Sequence, residues 1–259
     1  METLSVTLLQ FDISWENVDG NLRLISQQIS ELKGRTDLVV LPEMFSTGFT
    51  MNPEQFAEDT SDATITRLKL LSRETYIAIT GSFASKDGGR FYNRGFFITP
   101  EGELTIYDKR HLFRMGDEPM HYCGGESRPI IRYKEWNICL LICYDLRFPV
   151  WSRNCNNEYD LLLYVANWPS ARAKVWNVLL KARAIENMAY VCGVNRIGTD
   201  GLGIFYLGGS VMINPKGEEI SRTNDKQLIE TVNISFDQLY SLREKFPTWK
   251  DADIFEIKL

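Results

Sequence analysis

Trp136-Asn137-Ile138-Cys139-Leu140-Leu141-Ile142-Cys143-Tyr144-Asp145-Leu146-Arg147-Phe148-Pro149 sets the architecture of this chain. Residues 136–142 are apolar almost without interruption, so the strand they form carries apolar side chains on both faces. Such a strand belongs in a sheet buried between two layers. It stops at Cys143, and a helix is expected from Phe148, the strand-turn-helix order of an α/β protein.

The neighbouring segments repeat this grammar. Upstream, Ile130–Tyr133 and Trp136–Ile142 read as a hairpin; downstream come a strand at 161–166, a helix at 172–187 and a strand at 189–195. Residues 205–213 and 218–222 flank the turn Asn214-Pro215-Lys216-Gly217, a strand follows at 228–234, and a short helix closes the chain at 237–245. In the first half, 4–11 is a strand and 18–33 a helix with Leu22, Ile25, Ile29 and Leu32 on one face. A buried strand at 37–41 stops at Pro42, and Asp62 is positioned to cap a helix running to Arg73. A strand at 77–83 follows, and 91–99 and 103–107 flank Pro100-Glu101-Gly102 as a hairpin. Residues 110–128 form a long loop, and a loop of that length inside a compact fold is usually functional. No linker interrupts the alternation, so one α/β domain is expected over 1–259, without repeats. Gly198 to Gly203 lacks the strand-to-helix context of a dinucleotide motif.

Composition narrows the function. The 259 residues are 44% apolar and 24% charged, too apolar for a disordered chain. The 29 basic and 34 acidic residues sum to −5, and Lys and Arg never cluster beyond pairs, which argues against a nucleic-acid track or a basic membrane-surface helix. The longest apolar runs, 138–144 and 161–166, fall short of the ~18–20 residues of a membrane span. No basic segment followed by an apolar one opens the sequence, so no secretory signal is expected. Five cysteines, an odd number, fit a reducing compartment, the cytoplasm.

Three reactive side chains are expected at the carboxyl ends of strands, where α/β proteins place their chemistry. Glu43 follows 37–41, Lys109 follows 103–107 and Cys143 follows 136–142. A thiol at a strand-to-helix turn would sit at a helix N-terminus, where the dipole lowers its pKa, although a free cysteine is most often a small core residue. Cys139, in the same strand, reads as core. A nucleophilic thiol needs a base. His111 and His121 both lie in the long loop, whereas Glu43, between Leu41 and Phe45, sits where burial raises a carboxyl's proton affinity and suits it to move a thiol proton. Lys109 is either a surface charge or a fixed cation beside a developing oxyanion. His111, His121 and Cys123 match no common zinc spacing, so no metal is expected.

Leu41-Pro42-Glu43-Met44-Phe45, Asp108-Lys109-Arg110-His111-Leu112-Phe113 and Ile142-Cys143-Tyr144-Asp145-Leu146-Arg147-Phe148-Pro149 resemble the three signature regions of the nitrilase superfamily of carbon–nitrogen hydrolases. The resemblance covers essentially the whole chain, including Asn167-Trp168-Pro169 and Arg183-Ala184-Ile185-Glu186-Asn187, and is closest to the omega-amidases, which hydrolyse amides of 2-oxo dicarboxylic acids. It implies a four-layer α-β-β-α sandwich, a homodimer or larger assembly, a small amide substrate and no cofactor. It also implies Glu43 as general base, Lys109 as oxyanion cation and Cys143 as nucleophile, with a thioester formed and then hydrolysed. A second glutamate is expected after the lysine; Glu118 is the matching residue and Glu126 lies close to it. The Tyr144 N–H would complete the oxyanion hole, and Arg147, Trp168 and Arg172 are candidates for binding substrate. Arg147, Arg172 and Arg196 are each suited to a substrate carboxylate. Competing readings keep the same residues for a nitrile, an N-carbamoyl amine or an ordinary amide, or make the chain a non-catalytic binder.

Overall fold

The computed structural model describes residues 3–223, 226 and 228–258. Met1, Glu2, Asn224, Asp225, Gln227 and Leu259, all within the span expected as one domain, lie outside the described residues, as does the side chain of Leu228. The first half runs β1 (Thr3–Gln10), α1 (Val18–Glu31), β2 (Leu38–Val40), the one-turn α2 (Pro53–Phe56), α3 (Ala63–Thr75), β3 (Ala78–Asp87), β4 (Arg90–Ile98), β5 (Leu104–Asp108) and the one-turn α4 (Glu118–His121). The second half runs β6 (Ile130–Tyr133), β7 (Trp136–Ile142), β8 (Leu161–Ala166), α5 (Ala173–Asn187), β9 (Tyr190–Asn195), β10 (Ile197–Thr199), β11 (Phe205–Leu207), β12 (Val211–Ile213), β13 (Glu219–Arg222), β14 (Leu228–Ser235) and α6 (Phe236–Lys245).

Two six-stranded sheets, ordered β14-β1-β2-β3-β4-β5 and β13-β12-β9-β8-β7-β6, form the middle of the molecule. Each has a parallel centre, β1-β2-β3 or β7-β8-β9, and antiparallel edges. The two-sided apolar strands explain the layering. Leu38 and Val40 point to one side and pack with Ile138, Leu140 and Ile142 in the core between the sheets. Val39, Leu41 and Ile79 point to the other and meet Leu22, Ile25, Ile29 and Leu68 on α1 and α3. On the far side α5 lies close against β9: a Cβ on Gly193 would stand 2.6 Å from Leu180 and 2.7 Å from Trp176. Phe236 at the start of α6 packs edge-on against Trp136, ring centroids 5.6 Å apart. The result is the expected four-layer α-β-β-α sandwich. Among the described residues, no helix is long and apolar enough to cross a membrane.

Three local expectations are corrected. No helix begins at Phe148: Cys143–Arg147 is a 3-10 turn followed by further turns. Pro149 disfavours helical backbone at Phe148, and the Asp145 side chain accepts the Ile142 N–H, closing the turn early. The run 205–213 is two strands in different sheets, because Gly208 and Gly209, with φ of 72° and 77°, turn the chain between β11 and β12. The strand expected at 77–83 reaches Asp87 and pairs with β4 from Ile79 to Asp87, a hairpin hidden by the polar residues of its second half. Within the long loop, 110–128, lie a 3-10 turn, Arg114–Gly116, and α4.

Candidate active site

Glu43 lies just past β2, Lys109 directly follows β5, and Cys143 directly follows β7. Glu118, in the first turn of α4, joins them, so four residues far apart in sequence meet at one end of the sandwich. Glu43, Lys109 and Glu118 are buried to within 1% of complete. The Lys109 Nζ donates to Glu43 Oε1 at 2.8 Å and to Glu118 Oε2 at 2.9 Å. It also stands 5.1 Å above the centre of the Phe49 ring. Burial works against the ammonium, but the Glu118 and Glu43 carboxylates outweigh it and hold the Lys109 pKa above its ordinary value. Burial raises the pKa of Glu118, opposed by Lys109 and reinforced by Glu43. A buried ion cluster of this kind is weak support for folding, since desolvation offsets most of the attraction.

Glu43 is held on every side. Its Oε2 accepts the Asn167 backbone N–H at 2.8 Å, and its own carbonyl accepts the Asn167 side-chain amide at 2.6 Å. Those bonds tie the loop after β2 to the loop after β8, and so one sheet to the other. Asn93, on β4, donates its side-chain Nδ2 to Glu43 Oε1 at 2.8 Å and to Glu118 Oε1 at 3.0 Å. Glu118 Oε2 accepts the Phe113 backbone N–H at 2.5 Å.

Cys143 occupies a left-handed backbone position, φ 43°, where a non-glycine residue costs of order 1–3 kcal/mol. Asp145 holds the turn. Its Oδ2 accepts from Tyr107 Oη at 2.7 Å and from the Ile142 N–H at 3.0 Å. Its Oδ1 accepts the His111 backbone N–H at 3.0 Å and lies 2.8 Å from His111 Nδ1. The His111 ring stacks on Phe148 at 3.7 Å. The thiol faces the Asn167 carbonyl at 3.9 Å. Burial first, then the Glu43 carboxylate, push its pKa well up, with Lys109 opposing. The expectation of a thiol acidified by a helix dipole is therefore corrected: no helix follows the turn, and its surroundings raise the thiol's pKa rather than lower it.

Three of the four side chains border a cavity of about 270 Å³, close to the lower limit of ~300–1,000 Å³ for small-molecule sites. Glu43, Lys109 and Cys143 lie in it, and Phe49, Phe113, Met115, Leu202 and Ile204 give it apolar walls. Tyr144, Arg147, Trp168 and Arg172 all line the same cavity. Trp168 is buried, with Nε1 donating to the Arg172 carbonyl at 2.8 Å. The Arg147 guanidinium lies 5.4 Å over the Trp168 ring and that of Arg172 lies 5.2 Å over Phe113. Neither guanidinium has a carboxylate partner among the described residues. Arg196 is not part of this wall. It is fully buried, and its Nη2 donates to Asp12 Oδ1 at 2.7 Å and to the Ile13 carbonyl at 3.1 Å. Glu126 is exposed and separate from the cluster, whereas Glu118 is in it. Cys139 lies within the sheet core beside Arg128, and burial pushes its pKa up to about 11.

Sequence reasoning missed Asn93, and quoted Asn167 and Asp145 without a function for either. The signal for Asn93 was available, since asparagine is depleted inside strands and this one opens the buried stretch of β4.

Comparison with known proteins agrees with this fold. Residues 5–244 match the family model described as carbon-nitrogen hydrolase. The chain is similar to omega-amidase YafV of Escherichia coli strain K12, 45% identical over 258 residues that cover 99% of this chain and 100% of that protein. It is 30% identical to 2-oxoglutaramate amidase of Bacillus subtilis over 95% of this chain and 96% of the relative. Among solved structures, XC1258 of Xanthomonas campestris, described as a CN-hydrolase superfamily protein with an arsenic adduct in the active site, superposes over the whole of both chains with a TM-score of 0.97 at 38% identity.

Proposed function

The chain belongs to the carbon–nitrogen hydrolase family and is an amidase, and from that premise we propose that it works as an omega-amidase, releasing ammonia from a short amide with a carboxylate at its far end. One observation carries this reading: the cavity is lined both by Glu43, Lys109 and Cys143 and by two guanidiniums, Arg147 and Arg172, that have no carboxylate partner among the described residues. The names of the relatives support the same substrate class, a 2-oxo dicarboxylic acid monoamide.

In this reading Glu43 takes the Cys143 proton as the sulfur attacks the amide carbonyl. The Lys109 ammonium and the Tyr144 N–H stabilise the tetrahedral oxyanion, an effect of several kcal/mol in a buried site. Glu43 returns the proton to the departing nitrogen, ammonia leaves, and a thioester remains on Cys143. The same carboxylate then activates a water that cleaves the thioester. Glu118 keeps Lys109 in place and balances its charge. Trp168 forms a flat wall for the acyl chain. Cys143 must stay reduced, which together with five cysteines supports a cytoplasmic location.

Ammonia release across a panel of amides, nitriles and carbamoyl compounds tests the substrate. Amides with a distal carboxylate should give the highest kcat/KM. Arg147→Met or Arg172→Met should raise KM for them about tenfold or more while leaving a neutral amide nearly unchanged. Better turnover of a neutral amide or a nitrile by the unmodified enzyme rejects the proposal.

The chain is further proposed to form a homodimer. Trp176, Leu180 and Ala184 on α5 are buried against the sheet, while Val178 and Ile185 on its other side are 57% and 55% exposed. A self-complementary patch of that kind closes a two-fold pair. Light scattering at micromolar concentration should give the mass of two chains; an active species with the mass of one overturns the assignment.

A further inference from the structure

Two carboxylates sharing one ammonium leave the buried cluster with an uncompensated negative charge when both are ionised. Like charges this close favour protonating one of them, and a protonated Glu43 cannot serve as a base. Lys109 alone does not resolve this, because one cation faces two anions. The structure contains a second group that touches both. The Asn93 Nδ2 has two protons, and the Glu43 and Glu118 oxygens lie 2.8 and 3.0 Å from it. Its orientation is built in. The Met44 N–H donates to Ser82 Oγ at 2.9 Å, which leaves the Ser82 hydroxyl proton to donate to Asn93 Oδ1 at 3.0 Å. A flipped amide would turn its carbonyl toward two carboxylates and its NH2 toward a donor, so the NH2 is held on the carboxylate side. Asn93 and Ser82 are both fully buried, and no water is needed to complete the chain of bonds.

We propose that Asn93 is a positioning residue for the amidase reaction: its NH2 clamps Glu43 and Glu118 in one geometry and keeps both as charged acceptors around Lys109, with Ser82 setting the direction of the clamp. The inference rests on the reading of Glu43 as the base. Hydrogen bonds donated to a carboxylate favour its ionised form, so loss of the clamp makes the cluster hold a proton to higher pH. The acid limb of the pH–rate profile must then move upward. The other groups facing the two carboxylates are the Lys109 ammonium, the Cys143 thiol and Tyr122 at the end of α4, and the variants below leave all three in place.

Asn93→Asp keeps the shape and replaces the donor by a third carboxyl. Ser82→Ala removes the group that orients the amide, together with the acceptor of the Met44 N–H, and touches neither carboxylate. The readouts are the melting temperature, kcat and KM, the acid midpoint of kcat/KM, and the pH dependence of Cys143 alkylation by iodoacetamide. Asn93→Asp should lose about a hundredfold in kcat with KM changed by less than about threefold, and its acid midpoint should rise by about one unit. Ser82→Ala should lose about tenfold in kcat, with a smaller rise in the same direction. If either variant folds and keeps its acid midpoint, whatever its kcat, the clamp has no electrostatic function and the proposal falls. If neither folds, the weight of this network is on the fold and the proposal also falls. The reading it rests on fails differently: Glu43→Gln would then still be fully acylated on Cys143 after exposure to the amide.

Discussion

Cys143→Ala will abolish turnover while leaving the fold intact, with kcat falling at least ~10⁴-fold, the scale seen when a nucleophile is deleted from a catalytic unit. No neighbouring group can replace it. Asn167 offers a carbonyl and an amide, and Glu43 and Lys109 are engaged with each other. The structural cost is small because the change removes one sulfur atom at the edge of a cavity, and the left-handed backbone is imposed by the four hydrogen bonds of Asp145 rather than by the thiol. The melting temperature should change by no more than a few degrees, corresponding to about 1 kcal/mol. Cys139→Ala is the control: that thiol lies in the core between strands and should be dispensable for chemistry at some cost in stability. Full activity in Cys143→Ala, or equal loss in both variants, would remove Cys143 from the mechanism.

Glu43→Gln should reduce kcat/KM by about 10³-fold or more, because one carboxylate acts as base for attack by sulfur and again for attack by water. Burial and the neighbouring carboxylate raise the Cys143 pKa well above the ordinary range, which disfavours the thiolate and makes the reaction depend on a base. The variant should also lose ~1–2 kcal/mol of stability. Its amide cannot accept from Lys109, Asn93 and the Asn167 N–H together as the carboxylate does, and one donor is left unpaired. Mass spectrometry of Cys143 after exposure to substrate separates the steps: the expected result is an unmodified thiol. A fully acylated Glu43→Gln enzyme would show that another group activates the sulfur.

Much of the fold was legible because burial writes itself into composition. Strands such as Trp136–Ile142 and Leu161–Ala166 are apolar at every or nearly every position, since both faces meet a layer, and their limits could be read to the residue. The helix of 18–33 was legible for the same reason from one apolar face, and that of 172–187 from apolar stripes on two. The errors fall where a local conformation answers to a partner elsewhere. The turn after Cys143 is not a helix because Asp145 bonds to Ile142, His111 and Tyr107, two of them on or next to β5. The strand at 205–213 breaks because its halves join different sheets, which its apolar pattern does not encode. The stretch from Ala84 through the polar Ser85, Lys86 and Asp87 extends β3 because β4 pairs with it.

By itself the sequence determined the layered α/β plan and put Glu43, Lys109 and Cys143 at strand ends, since hydrophobic pattern and strand-end position are both local properties of a chain; the roles proposed for them came from the resemblance to the nitrilase superfamily. Only the tertiary structure decided that Glu118 and not Glu126 reaches Lys109, that Arg147 and Arg172 line the cavity while Arg196 is bound to Asp12, and that Asn93 touches two carboxylates. Each of those is a choice among chemically similar side chains. Their composition is the same in either arrangement, and what separates them is a distance of a few ångströms set by where two sheets and four loops come to rest.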